Sequence, residues 1–194
     1  MDYTTKIKEY LSLEYTVLQS LDINAISEAM NALDSARKRN AIIYIMGNGG
    51  SASTASHFLG DFSRGLSEHL DVPFRFSCLS DNTATVMAIA NDIGYDRIFS
   101  KQLAGRVTAN DIVIGISGSG NSANIINAIE VAKDAGAKTI GLTGFDGGKL
   151  AKMVDILLHV PVMSMQVTED IHMIFNHLMM AVFYQELCGI DHVK

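Results

Sequence analysis

The sequence predicts an α/β fold: an open parallel sheet covered by helices on both faces, preceded by a pair of N-terminal helices. Three observations carry this. Short apolar runs rich in Val and Ile recur between residues 41 and 161, with the length and two-sided hydrophobicity of buried parallel strands. Helical stretches separate them, and strand–helix alternation builds βαβ units. Two of the runs end in loops dense in glycine and serine, at the carboxyl ends of strands where such sheets place their sites.

The elements follow in order. Residues 1–40 read as two amphipathic helices. Ile7, Tyr10, Leu11, Tyr15, Val17, Leu18 and Leu21 recur at helical spacing, and Ile26, Met30 and Leu33 do so again. Asp22 and Asn24 lie between them, where a break and a new N-cap belong. Lys6, Lys8, Glu9, Glu14 and Glu28 mark the polar sides, so each apolar face needs cover, from the sheet, another subunit or both. The expected strands are 41–46, 74–79, 111–117, 138–144 and 154–161. Residues 52–66, 82–104, 122–135 and 148–153 are expected helices, the second broken near Gly94. A long last helix, from about 166 to 186, carries Ile171, Ile174, Phe175, Leu178, Val182 and Phe183. A single domain is expected over 1–194, with helices in 1–40 and the α/β core with its C-terminal helix in 41–194.

Composition narrows the function. At 48% hydrophobic and 19% charged, the 194-residue chain suits a buried core and not a disordered state. A net charge of −6 and a pI near 5.4 argue against a nucleic-acid partner, which would want a basic face. No apolar run reaches the ~18 residues of a membrane span, and the opening MDYTTKIKEY lacks the apolar stretch of a secretory signal. Cys78 and Cys188 make no disulfide framework and neither lies in a CxxC, which fits a cytoplasmic location. A mean hydropathy of +0.19 is high for a soluble monomer, so other copies of the chain are expected to cover apolar surface.

The chemistry centres on the two loops. Gly47-Asn48-Gly49-Gly50-Ser51 follows a strand and opens a helix. It is neither a GK[ST] loop nor GxGxxG, so no nucleotide is expected. A tight serine-capped turn and an anion cradle at a helix N-terminus both fit it. The second loop, residues 115–122 (GISGSGNS), packs three hydroxyls and three glycines into eight residues without Lys or Arg. That suits a small phosphate monoester held by hydroxyls, backbone amides and a helix dipole, at about 1.5–3 kcal/mol per charge-assisted bond.

In the order GNGGSASTASHF, AIANDIGYD, GISGSGNSAN, GFDGGKL and TEDIHMIFNH, nearly the whole chain resembles the SIS (sugar isomerase) domain family, in its phosphoheptose isomerase branch. The resemblance implies a five-stranded parallel sheet of flavodoxin-like kind, a homotetramer with sites at subunit interfaces, and a sugar phosphate substrate. It implies interconversion of sedoheptulose 7-phosphate and D-glycero-D-manno-heptose 7-phosphate through an enediol. By motif position, Ser117, Ser119, Ser122 and the Gly118 amide would hold the phosphate. Asn48, Gly49, Ser51, Asp92 and Glu169 would contact the sugar.

His57 and Asp61 are i and i+4, so they share a helix face. Glu169 and His177 are separated by about 80° around their helix and ~12 Å along it, within reach of one ligand. His172 lies about 140° from His177, and is left as a core or interface histidine. The resemblance makes Asp61 and His177 the catalytic acid–base pair and His57, Asp61, Glu169 and His177 the ligands of one zinc per subunit. A carboxylate and an imidazole suit proton transfer α to a carbonyl. The family pattern has Glu at Asp61, Gln at Glu169 and Asp at Gln166. The first change shortens an arm by one methylene; with Glu169 it makes a metal set more anionic. The reaction is expected to survive in a subfamily. The alternative is a non-catalytic sugar-phosphate-binding SIS protein with a regulatory or partner role. A six-carbon isomerase or an aldolase-like enzyme is a further reading, although no loop lysine suggests a Schiff base.

Overall fold

The computed structural model describes residues 1–191. Two antiparallel-capable helices open the chain, α1 (Thr4–Gln19) and α2 (Ile23–Lys38). Asp22 separates them as anticipated: its Oδ1 accepts from the amides of Asn24 at 2.9 Å and Ala25 at 3.1 Å, satisfying donors that the first turn leaves open. The α/β portion then runs β1 (Ile43–Met46), α3 (Gly50–Gly60), β2 (Phe76–Cys78), α4 (Thr83–Asp92), α5 (Ser100–Leu103), β3 (Ile112–Ser117), α6 (Ala123–Asp134), β4 (Lys138–Thr143), β5 (Ile156–His159) and α7 (Met165–Cys188).

The five strands form one parallel sheet in the order β2-β1-β3-β4-β5. Side chains alternate between its faces. Ile43 and Ile45 of β1 join the core under α2, α3 and α7, whereas Tyr44 and Met46 join the core under α5 and α6. Both faces are therefore dry, which is why the strands read as continuous apolar runs. The order reverses between β1 and β3, so the chain leaves their carboxyl ends in opposite directions and opens a crevice there.

Two expectations need correction. The stretch 148–153 is not an α-helix but one 3₁₀ turn, Leu150–Lys152. The helix after the first loop does not run unbroken to 66; at Asp61 it widens into a π-helical segment, Asp61–Leu66. An aromatic cluster holds that segment: the Phe62 ring lies 5.0 Å from Phe76, 5.3 Å from Phe74 and 6.0 Å from Phe183 of α7. The expected break near Gly94 is present, at φ 141° just beyond α4.

The N-terminal pair divides its cover. Ile26, Ala29, Leu33 and Ala36 of α2 are buried in the core, but α1 buries only Val17 among its residues. Ile7, Leu11 and Tyr15 stay 57%, 56% and 62% exposed. α1 is held by Val17 in the core, by Tyr10 and Leu18 packed against it, and by the Tyr10 hydroxyl donating to Asp170 Oδ2 on α7.

Replacing Asp22 with alanine removes the α2 cap and is expected to cost about 1 kcal/mol, within the ~0.5–2 kcal/mol span of such caps. Urea unfolding of the two proteins measures it, and an unchanged midpoint would show that the cap contributes nothing.

Candidate active site

The first loop is built by a backbone that glycine favours. Gly49 has φ 53° and ψ −122°, and its carbonyl accepts from the amides of Ala52 and Ser53 to start α3. Ser80 clamps the loop from the end of β2, its hydroxyl donating to the Gly47 carbonyl at 2.9 Å and accepting from the Gly47 amide at 3.2 Å. Asn48 is held on three sides. It exchanges amide hydrogen bonds with Asn124, both at 2.9 Å, and its Oδ1 accepts a further bond from the Tyr95 hydroxyl at 2.9 Å. Both Oδ1 lone pairs are thus engaged, and one Nδ2 hydrogen is left to offer a ligand. Asn124 and Tyr95 escaped the sequence reading as supports. Their only sequence signal was membership of the GISGSGNSAN and AIANDIGYD segments.

The second loop, across the crevice, turns its hydroxyls on one another. Ser117 Oγ and Ser122 Oγ are 3.1 Å apart. Ser122 is the N-cap residue of α6, and its hydroxyl faces Ser117 in place of a first-turn amide. The α6 start is thus without a side-chain cap, and a helix N-terminus attracts negative charge. Ser119 Oγ accepts from the Asn121 amide at 3.2 Å. Gly120, at φ 65°, meets the Gly147–Gly148 turn backbone to backbone; a Cβ there would sit 2.0 Å from the Gly147 carbonyl oxygen. The Leu150 amide donates to the Gly120 carbonyl at 2.9 Å and closes the contact.

Helix α7 joins the loops to His57 and Asp61 through its own His177. Its first turn covers the second loop: a Cβ on Gly118 would lie 2.5 Å from Met165 Sδ. One turn further, Glu169 faces the first loop, with its carboxylate oxygens 2.6 Å from where a Gly50 Cβ would be. Two turns beyond that, His177 meets α3. His177 Nε2 lies 3.1 Å from His57 Nε2, His57 Nε2 lies 3.2 Å from Asp61 Oδ2, and His177 Nε2 lies 3.8 Å from Asp61 Oδ2. A tetrahedral zinc with bonds near 2.0–2.1 Å has ligand–ligand edges of about 3.3 Å, so these three atoms fit one face of that tetrahedron. Two unprotonated imidazole nitrogens facing a carboxylate at these distances need a proton or a cation among them. Among the described residues this cluster is His57, Asp61 and His177. Glu169, expected as a fourth ligand, stands apart from it at Gly50.

Other expected residues are placed differently. Ser51 is buried in the first turn of α3. Asp92 is exposed at the end of α4 and accepts from Asn91 Nδ2 at 2.8 Å; Tyr95, three residues on, is the part of that segment that touches the first loop. A cleft of about 530 Å³ opens beside the cluster, lined by His57, Ser53, Ser56, Ser80, Asp81 and Thr83. Its hydroxyl lining and size suit a small polar ligand.

His172 is the core histidine of α7. It is fully buried, with Nε2 3.3 Å from the Thr143 carbonyl oxygen and Nδ1 without a partner among the described residues. Burial pushes its imidazole down to about 4, outweighing the bond to Thr143.

An open parallel sheet with hydroxyl-rich loops at its switch point and an acid–histidine cluster on the adjoining helices defines a class of sugar-phosphate-handling domains. The chain matches the family described as SIS domain over residues 2–144, and it belongs to that family. It is 38% identical to the phosphoheptose isomerase of Aliarcobacter butzleri over 184 residues, covering 93% of this chain and 96% of that protein. Among solved structures it is similar to a phosphoheptose isomerase from Francisella tularensis, at TM-score 0.88 and 30% identity, over 96% of this chain and all of the other (100%). The phosphoheptose isomerase GmhA of Neisseria gonorrhoeae matches at TM-score 0.85 and 31% identity, over 92% of this chain and 97% of that one.

Two outcomes follow from this geometry. Gly120→Ala adds both a left-handed residue and a backbone clash, so it is expected to destabilise by about 2–5 kcal/mol. Gly105→Ala has a similar φ of 75° but open space around the new methyl, and about 1–2 kcal/mol is expected there. Equal thermal shifts for the two would show that the loops do not need their close approach. For His172, the unfolded chain takes up a proton near pH 6.5 that the folded chain refuses until about 4. Stability should fall as pH drops through that window, by on the order of 3 kcal/mol in total, and level off below it. Urea titrations of the parent and of His172→Gln between pH 7 and pH 4 compare the slopes; parallel slopes would remove His172 as the cause.

Proposed function

We propose that this chain is a phosphoheptose isomerase, interconverting sedoheptulose 7-phosphate and D-glycero-D-manno-heptose 7-phosphate. The observation that carries the reading is the convergence of Asp61 and His177 from separate elements onto one point of a switch-point crevice whose other end is a hydroxyl-lined loop. Similarity to phosphoheptose isomerases over nearly the full length supports it.

The phosphate is held by Ser117, Ser119, Ser122 and the Gly118 amide at the α6 start. Uncharged donors suffice there, because each charge-assisted bond contributes about 1.5–3 kcal/mol. The sugar hydroxyls meet Asn48, Gly49, Ser51, Asp92 and Glu169. Asp61 removes a proton from C1 of the ketose and returns it at C2 of the enediol, while His177 carries the proton between the two oxygens. The C1–H and O1–H bonds break, and C2–H and O2–H bonds form, so the reaction is balanced without a redox partner. His57, Asp61 and His177 would hold one zinc per subunit, with Glu169, now at Gly50, the expected fourth donor; bound there, zinc would supply Lewis acidity at the carbonyl oxygen. No nucleotide takes part.

The working form is a homotetramer of single-domain subunits (residues 1–194) in the cytoplasm. Support for assembly comes from the uncovered apolar side of α1, where Ile7, Leu11 and Tyr15 face outward. Both cysteines are free, which suits a reducing compartment. No described helix is long and apolar enough to cross a membrane.

Asp61→Ala and His177→Ala are each expected to lose about 10²–10⁴ in kcat, the range of general acid–base catalysis. Ser119→Ala should act chiefly on KM. Proton NMR with sedoheptulose 7-phosphate in D₂O provides the test, with and without added zinc. Aldose carrying deuterium at C2 is the expected product. Saturable binding without turnover or exchange would instead make this a sugar-phosphate-binding protein.

A further inference from the structure

Behind the cluster lies a residue that the sequence reading did not single out. Asn176 precedes His177 on α7, about 100° around the helix. The two side chains leave in different directions: His177 is exposed, whereas Asn176 is fully buried. Asn176 Nδ2 donates to Asp61 Oδ2 at 2.6 Å, the same oxygen that lies 3.2 Å from His57 Nε2. Chemistry fixes the orientation of the amide, since a flip would set its carbonyl oxygen against a carboxylate. Yet Asn176 Oδ1 is buried with no partner among the described residues. A leucine of similar size would leave no such orphan, so this asparagine is a poor choice for packing alone.

We propose that Asn176 is a positioning residue that anchors the Asp61 carboxylate so that Oδ2 faces His57 and His177. It rests on the reading of Asp61 as acid–base group and ligand. Asp61 has a short arm with two rotatable bonds, and it stands where α3 passes into the π-helical segment. The imidazoles sit on its solvent side and supply no fixed wall behind it. The buried amide supplies that wall, as groups behind a ligand commonly set its direction. Asn176 bonds to Asp61 and acts through it.

The test uses the full chain, with Asn176→Leu, Asp61→Ala and the double variant. Zinc affinity is read by competition with a colorimetric chelator, and turnover is read on sedoheptulose 7-phosphate at saturating zinc. Asn176→Leu is expected to weaken zinc binding about 10–100-fold and to lower kcat by a similar factor, with KM nearly unchanged. Its thermal midpoint should hold or rise, because an unpaired buried oxygen is gone. In the Asp61→Ala background the same change should cost nothing further. A purely structural asparagine would move the midpoint and leave zinc affinity and kcat within about twofold. That result, with Asp61→Ala impaired, overturns the proposal and leaves the reading of Asp61 intact. An added loss in the double variant overturns it too, since Asn176 would then act by another route. Full zinc affinity and turnover in Asp61→Ala would sink the reading and the proposal together. Should the parent bind no zinc, kcat alone decides; should the leucine variant not fold, Asn176→Ala is read by the same criteria.

Discussion

The crossing of α7 over α3 is the contact on which the rest of the site depends. Neither helix carries the cluster alone: His57 and Asp61 come from one and its π-helical extension, His177 from the other. Their relative position is set below the polar layer, where Phe58 stacks on Phe62 and Phe76, Phe74 packs edge-on to Phe62, and Phe183 of α7 closes against Phe62 and Phe74. Aromatic rings in a close-packed core resist sliding, because a small shift forfeits many contacts at once. The helix that brings His177 also covers Gly118 with Met165 and faces Gly50 with Glu169. One rigid element therefore spans the serine-rich loop, the first glycine loop and the acid–histidine cluster. A ligand that touches all three is measured against a fixed ruler.

The sheet supplies the second constraint. Reversal of strand order between β1 and β3 puts the two glycine loops on opposite walls of one crevice. The walls are polar without being charged. Ser117 and Ser122 pair with each other, and Asn48 with Asn124, so the hydrogen-bonding groups are held in place before any ligand arrives. Preorganised donors lose little freedom on binding, so neutral groups held in this way are suited to a polar or anionic ligand.

Most of this was legible in the chain. Runs such as AIIYIM and DIVIGIS declare buried strands because both their faces are dry, and Asp22 declares a cap because its neighbours need an acceptor. The loops declared themselves by composition, and Ser117, Ser119 and Ser122 fall where hydroxyls can gather. What escaped depends on contacts between residues far apart in sequence. Nothing local marks residue 61 as the start of a π-helical turn, because that widening answers the packing of Phe62 beneath it. Helical arithmetic placed Glu169 and His177 near one ligand, but it could not say that Glu169 would rest on Gly50, away from His57 and Asp61. The side chains of Asn124, Tyr95 and Asn176 carry no periodic signal, and their partners lie 76, 47 and 115 residues away.

The exposed ends of the cluster complete the logic. Two imidazole nitrogens lie 3.1 Å apart, both turned toward one carboxylate oxygen. Lone pairs at that distance repel unless an N–H or a cation lies between them. A shared proton satisfies the geometry, and so does a divalent cation at the apex of the triangle. The same fact explains why the groups are held from below, by an aromatic core and a buried amide, and are left open above. A framework stiff below and open above suits a group that arrives from solvent and must meet fixed donors.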